Sequence, residues 1–156
     1  MEFTIREATL EDAAQLTDLL RELGWRPDVQ TMPLDQLTAR VTRQLVRCLD
    51  NESHTVYVAI EAVGTIAGYV TVHWLPYLMY PGPEGFISEL FLREAVRGQG
   101  LGAKMLETVK QAAKDRGGYR LQLINHRQRE SYQRGFYAKQ GWEERLDAAD
   151  FVFYLD

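Results

Sequence analysis

Seven residues, Arg97-Gly98-Gln99-Gly100-Leu101-Gly102-Ala103, stand between a run that predicts a strand and a run that predicts a helix. Glycines at alternate positions let the backbone turn tightly and leave successive N–H groups free at a helix N-terminus, which together favour a bound phosphate. Spacing separates the phosphate-binding patterns that compete for this loop. A P-loop needs Gly-Lys followed by Ser or Thr, and Lys104 is followed by Met105, so no hydroxyl is offered to magnesium. Gly98, Gly100 and Ala103 do satisfy the dinucleotide pattern G-x-G-x-x-G/A. The next strand, however, ends at Ile124-Asn125 without the acidic residue expected about 20 positions on for a ribose, and too little chain remains for a doubly wound sheet. The expected ligand carries a pyrophosphate of another kind.

Other chemistry-bearing residues are sparse. Cys48, the one cysteine, excludes an intrachain disulfide and lies at helical spacing among Leu45, Val46 and Leu49, where a free thiol behaves as a small hydrophobe. Neither His54 nor His126 has a Cys or His partner at ligand spacing, so no metal site is expected. The segment from His73 to Gly82 is rich in aromatics for a loop.

These residues need elements to position them. Phe3 to Ala8 alternates as a first strand, and Thr9 with Glu11 and Asp12 marks a helix start. That helix carries Ala13, Leu16, Leu19, Leu20 and Leu23 at spacings of three and four and stops at Gly24. A second helix over Leu34 to Leu49 places Leu37, Val41, Leu45 and Cys48 on one side. Thr55–Glu61 and Thr65–Trp74, broken by Gly64, predict a hairpin. Phe86–Leu92 predicts the fourth strand, in which alternation puts Glu89 on one face with Ile87 and Phe91. Then follow a helix over Leu101–Lys114 closed by Gly117-Gly118, a short strand over Leu121–Ile124, and a helix over Glu130–Gln140 ended by Gly141. A terminal strand over Phe151–Leu155 is expected, with a further short one at Trp142. No internal repeat or linker interrupts the chain, so residues 1–156 are expected to form one α/β (α+β) domain.

The loop brings in a family. Arg97-x-x-Gly100-x-Gly102 resembles the pyrophosphate-binding motif R/Q-x-x-G-x-G/A of the GNAT superfamily, the general N-acetyltransferases. Glu89-Leu90-Phe91-Leu92 resembles the strand before that loop, and Phe136-Tyr137-Ala138-Lys139-Gln140-Gly141-Trp142 resembles the later F-Y-x-x-x-G-F segment. The resemblance implies a central mixed, mostly antiparallel sheet of six to seven strands, splayed between strands 4 and 5, with helices on both faces. It implies acetyl-coenzyme A (acetyl-CoA) as cofactor, its arm pairing with the backbone of Leu90, Phe91 and Leu92. The pyrophosphate would lie on Gly98, Gln99, Gly100, Leu101, Gly102 and Ala103, with Arg97 adding charge or fixing the turn.

Amide formation needs a neutral amine, a stabilised oxyanion and a proton for the departing thiolate. By position in the resemblance, Tyr137 is the acid, since a phenol is protonated at neutral pH. Glu89, the one carboxylate inside the central strand, would accept a proton through water or bind a cationic amine. Asn125 stands where some relatives carry glutamate, and an amide cannot act as a base; at Glu130 many relatives carry an asparagine that contacts the cofactor arm. Trp25, Tyr77 and Tyr80 are candidates for the acceptor pocket, since aromatic faces suit an ammonium, and His73 is counted with them either as a pocket residue or as a proton relay. The competing reading of the aromatic loop is packing on itself or across a homodimer interface. The function expected is direct acetyl transfer to a primary amine of a polyamine, amino acid, aminoglycoside-like molecule or peptide. A domain that binds acyl-coenzyme A without catalysis is the alternative.

Bulk properties agree. At 156 residues one core is expected, with roughly 70 % of the unfolded surface buried. A net charge of −4 provides no basic field for nucleic acid. No window approaches the ~20 apolar residues of a membrane span. Met1–Ala8 lacks a basic-then-apolar pattern, so no secretory signal is expected. A cytoplasmic enzyme with a small-molecule amine partner is the resulting expectation.

Overall fold

Alternating residues from Phe3 form strand β1 (Phe3–Glu7), and the chain then turns through a short 3-10 segment at Leu10–Asp12. Thr9 is the N-cap of that segment, as the sequence predicts. The Asp12 carboxylate accepts the Thr9 N–H at 2.8 Å and is gripped through both oxygens by Arg6, whose guanidinium holds the carboxyl below its usual range. Helix α1 (Ala13–Leu23) ends at Gly24, where φ of 65° is the left-handed geometry that glycine accepts without strain. A short helix unmarked in the sequence reading, α2 (Pro27–Thr31), begins with proline at its first position, where no N–H is needed. Helix α3 (Leu34–Leu49) keeps the expected bounds.

The computed structural model describes residues 2–155, in two units divided after Ile124. The first holds a five-stranded mixed sheet in the order β1-β2-β3-β4-β5. After β1 come β2 (His54–Glu61), β3 (Ile66–Leu75) and β4 (Glu84–Leu92), paired antiparallel in sequence order. Helix α4 (Leu101–Asp115) then crosses over to β5 (Arg120–Leu123), which pairs parallel to β4. Val56, Val58, Ile66 and Tyr69 form one buried cluster with Ala13, Leu16, Leu19 and Leu45 of α1 and α3. Val70 and Val72 alternate with Tyr69 and face away from that cluster, and α4 packs against the strands with Met105, Leu106 and Val109 fully buried. The sheet is thus mixed, mostly antiparallel and covered by helices on both faces, with five strands where six to seven were expected.

A bulge corrects the expected pattern of β4. Thr71 lies opposite Glu89 and the next residue, Val72, lies opposite Ile87, so Ser88 is an extra residue with no partner of its own. The extra residue changes the phase of the alternation. Glu89 and Phe91 stay on the face of Thr71 and Tyr69, while Ile87 turns with Val72 to the opposite face and is 4 % exposed.

Gly68 shows how closely β3 and the end of β4 approach. A Cβ there would meet the Leu92 side chain at 2.4 Å and the Phe91 carbonyl at 2.6 Å, and the carbonyl is backbone that cannot swing aside. Gly68→Ala is therefore expected to cost about 1–3 kcal/mol by overpacking. A urea titration should show a lower midpoint at an unchanged slope.

The second unit runs from Asn125 onward. The single helix expected over Glu130–Gln140 is two short ones, α5 (Glu130–Gln133) and α6 (Phe136–Lys139). Gly135 separates them at φ of 66°, which no right-handed helix accommodates. The strands expected at Trp142 and Phe151–Leu155 do not form: Phe151, Phe153 and Leu155 are 91, 87 and 88 % exposed and pair with nothing among the described residues. Aromatic and β-branched content makes a strand only where an edge receives it.

Candidate functional site

The end of β4 is open on one side. β5 accompanies it only as far as Leu123 opposite Ile87, so Ser88–Leu92 have a strand neighbour, β3, on one side alone. Among the described residues, backbone groups pointing away from β3 along this stretch have no ladder partner, and they can receive an extended ligand. The expected splay between strands 4 and 5 is this divergence. Leu90, Phe91 and Leu92 lie along it.

The strand runs directly into the glycine loop. After a 3-10 turn at Glu94–Val96, anchored by Val96 at 1 % exposure, Arg97 donates through Nε to the Leu92 carbonyl at 3.2 Å and so fixes the turn. The Gln99 amide donates to the Ala95 carbonyl at 3.2 Å. Gly98 and Gly100 adopt φ of 76° and 80°; a Cβ at either would meet nothing within 4 Å, so the left-handed backbone, not lack of room, requires glycine there. Gly100 is the N-cap of α4, and the first helical bond of that turn is Lys104 N–H to the Gly100 carbonyl at 3.1 Å. Leu101, Gly102 and Ala103 lie in the first turn, whose N–H groups have no intrahelical acceptor. Residues 97–100 are exposed. An exposed loop with no side chain at Gly98 or Gly100, running into the positive end of a 15-residue helix, suits a phosphate group, although Leu101 and Gly102 of the first turn are themselves buried.

On the face shared with α1 and α3, polar groups converge beside the open edge. Glu89 is exposed, and one of its carboxylate oxygens accepts the Tyr69 hydroxyl. Tyr69 is only 4 % exposed; burial, and then the Glu89 charge, push its phenol far up, so it keeps its proton and donates. Trp25 stands edge-on to Phe91 at 4.6 Å between ring centroids, and Phe91 meets Tyr69 at 5.6 Å. His73 lies two places along β3 from Thr71. Its Nε2 is 2.6 Å from Ser88 Oγ and its Nδ1 is 2.8 Å from Nδ1 of His54, the residue directly opposite on β2. Burial, and then His54, push the His73 imidazole below its usual value.

Tyr77 and Tyr80 belong to a different cluster, at the other end of β4. Their rings are 5.3 Å apart, Tyr80 stacks on Tyr119 at 4.7 Å, and the Arg120 guanidinium lies 5.1 Å over Tyr80. Arg120 is also paired with Glu84, which is 1 % exposed and accepts the Tyr77 hydroxyl at 3.4 Å. The structure groups Trp25 with Phe91 and His73 with Ser88; it does not bring Tyr77 and Tyr80 to them.

In the second unit, the Tyr137 ring packs edge-on against Phe136 and Trp142, at 4.9 and 6.0 Å between centroids. Burial raises its phenol above the usual value, and no hydrogen bond reaches its hydroxyl among the described residues. The Asn125 amide oxygen accepts the Ser131 hydroxyl at 3.1 Å, and Glu130, in the first turn of α5, is exposed. Sequence reasoning gives no role to Ser88 or Tyr69 and weighs His54 only as a metal ligand without a partner. For the two histidines a signal existed: a hairpin turning at Val63-Gly64 sets residues equally distant from its centre opposite one another.

Among the described residues no helix is long and apolar enough to cross a membrane, and no group of three or more His, Cys, Asp or Glu side chains is placed to hold a metal ion. Residues 17–142 match the sequence model of the acetyltransferase (GNAT) family. A search of curated proteins found none that matches. Among solved structures, a transcriptional regulator from Bacillus halodurans is similar at 26 % identity and a TM-score of 0.81, covering 97 % of this chain and 100 % of the other. Glucosamine-6-phosphate N-acetyltransferase from Arabidopsis thaliana is similar at 23 % identity and a TM-score of 0.75, with both chains covered completely. An aminoglycoside acetyltransferase from an uncultured soil metagenomic sample is similar at 18 % identity and a TM-score of 0.77, covering 99 % of this chain and 97 % of that one.

Proposed function

The chain belongs to the GNAT acetyltransferase family, and from that premise we propose that it moves acetyl from acetyl-coenzyme A directly to a primary amine of a small molecule or peptide. The observation that carries this reading is the stretch Ser88–Leu92, paired with β3 on one side alone and leading without interruption into the glycine loop and the N-terminus of α4. As a substrate, acetyl-coenzyme A supplies the acetyl thioester. The chain's own residues bind and orient it: backbone along Leu90, Phe91 and Leu92 receives the arm, and Gly98 to Ala103 receive the pyrophosphate on a turn that Arg97 holds.

The acceptor amine arrives as a cation. Glu89, exposed and held by the Tyr69 hydroxyl, attracts the ammonium, with Trp25 and Phe91 as an aromatic flank. Tyr137 supplies the proton to the departing thiolate: burial keeps its phenol protonated, and its hydroxyl has no hydrogen-bond partner among the described residues. Residues 1–156 act as one domain in this reading, which the family match supports by running across the division at Ile124. The enzyme works in the cytoplasm, in keeping with its single cysteine. The amine sugars and aminoglycosides implied by the names of two similar structures are reasonable first acceptors to test, beside polyamines and amino acids.

A ligand that prefers the native state stabilises it by mass action. At 100 times its dissociation constant acetyl-coenzyme A should add about 2.7 kcal/mol and raise the melting temperature by several degrees. NAD at the same concentration should leave it unchanged. Stabilisation by NAD with none by acetyl-coenzyme A would remove the basis of the proposal.

A further inference from the structure

We infer that Ser88, His73 and His54 form a proton relay that carries the proton of the acceptor amine from the open edge of β4 to solvent at the start of β2. The inference rests on the acetyl-transfer reading and deepens it by naming the groups that deprotonate the amine. Its geometry is a continuous chain within the first unit: Ser88 Oγ to His73 Nε2 at 2.6 Å, then His73 Nδ1 to His54 Nδ1 at 2.8 Å. Each end has a reason for its place. Ser88 is the bulged residue of β4, exposed where β5 ceases to pair, so its hydroxyl stands beside the backbone proposed to receive the acyl arm. His54 is the first residue of β2 and is partly exposed, and its Nε2 has no hydrogen-bond partner among the described residues.

Two nitrogens facing each other at hydrogen-bond distance require one imidazole to donate and the other to accept. Two arrangements satisfy every contact. In the first, His73 carries its proton on Nδ1 and donates to His54, its Nε2 accepts the Ser88 O–H, and His54 carries a proton on Nε2. In the second, His54 donates from Nδ1, and His73 carries its proton on Nε2 and donates to Ser88 Oγ.

The two arrangements are the states of the relay before and after one proton passes. As the amine N–H bond breaks, Ser88 Oγ takes that proton and gives its own to His73 Nε2. His73 passes its Nδ1 proton to His54 Nδ1, and His54 releases its Nε2 proton to water. One proton enters, one leaves, and no charge remains on the chain.

The groups on the same sheet face allow this. Tyr69 on β3 is engaged with Glu89 on β4, Cys48 on α3 has its thiol pushed up by burial and then by Glu89, and Glu22 on α1 is paired with Arg93 at 2.5 Å. None of these is paired with an imidazole. Burial and the adjacent His54 lower the His73 imidazole, so that ring is neutral at neutral pH, the state in which it accepts a proton.

The test uses the full chain with acetyl-coenzyme A and the amine that supports the fastest coenzyme A release. For the wild type, kcat/KM should rise with pH through a limb below the ordinary imidazole value of about 6.5. His73→Gln should slow transfer by about 10²-fold, the lower end of what general acid–base catalysis contributes, with KM for acetyl-coenzyme A unchanged and that limb absent. His73→Ala should regain activity when imidazole is added, which a merely structural histidine would not do, and His54→Gln should slow transfer without changing acetyl-coenzyme A binding. Nitrogen-15 NMR of the resting protein should show a neutral imidazole at His73, joined through Nδ1 by a hydrogen bond to His54. An active wild type whose His73→Gln variant keeps its rate and pH profile would overturn the relay and leave acetyl transfer standing; a wild type inactive with every amine would overturn both.

Discussion

Tyr137→Phe should slow acetyl transfer by a factor of about 10²–10⁴ while binding acetyl-coenzyme A as the wild type does, because general acid catalysis typically contributes that much. The substitution removes one oxygen and keeps the ring that packs on Phe136 and Trp142. No protein group hydrogen-bonds to that oxygen among the described residues, so its removal leaves no orphaned partner and little stability should be lost. Loss of rate without loss of stability separates an acid from a structural tyrosine, which would behave in the opposite way. Single-turnover rates at saturating acetyl-coenzyme A isolate the chemical step from product release. An unchanged rate across the pH range would assign the proton to water instead.

Gly100→Asp should abolish most cofactor binding. Gly100 sits at φ of 80°, so any side chain strains the backbone that opens α4. An aspartate adds negative charge at the positive end of the helix, where the pyrophosphate is proposed to lie. Space is not the reason, since a Cβ there meets no atom within 4 Å. The loss should therefore depend on charge: Gly100→Ala should share the backbone strain and keep a larger part of the acetyl-coenzyme A affinity. Isothermal titration of both folded variants makes the comparison, and equal affinity for Gly100→Asp and wild type would count against the loop as the phosphate site.

Periodicity and local stop signals carried most of the first unit. Helix α3 keeps its expected bounds because Leu37 and Leu45 recur on the buried side, and Gly24 ends α1 in the left-handed conformation its position suggested. The Thr9–Asp12 cap was legible for the same reason: the relevant hydrogen bonds lie within four residues. What escaped depends on partners far away in sequence. A bulge exists only relative to the neighbouring strand, so strict alternation placed Ile87 with Glu89 and overlooked Ser88 altogether. Phe151–Leu155 has the composition of a strand, but pairing needs an edge that composition does not specify. Helical spacing of the flanking residues carries the expected helix through Gly135, whose φ of 66° divides α5 from α6.

The candidate site divides along the same line. The glycine loop was legible because its chemistry is local backbone geometry. The Tyr69–Glu89 and His54–His73–Ser88 contacts join three strands and follow from register. The aromatic segment could be counted but not placed: Tyr80 stacks on Tyr119 beneath Arg120, while Trp25 meets Phe91.

The central claim, that this chain transfers acetyl from acetyl-coenzyme A to an amine, is tested most directly by incubating the purified protein with acetyl-coenzyme A and a panel of polyamines, amino acids, amino sugars, aminoglycosides and peptides, and measuring free coenzyme A together with the acetylated product. The account predicts release of one coenzyme A for each acetylated primary amine, from at least one member of the panel and far above the rate without amine. Tight acetyl-coenzyme A binding with no amine-dependent thiol release from any member would contradict it and describe an acyl-coenzyme A-binding module instead.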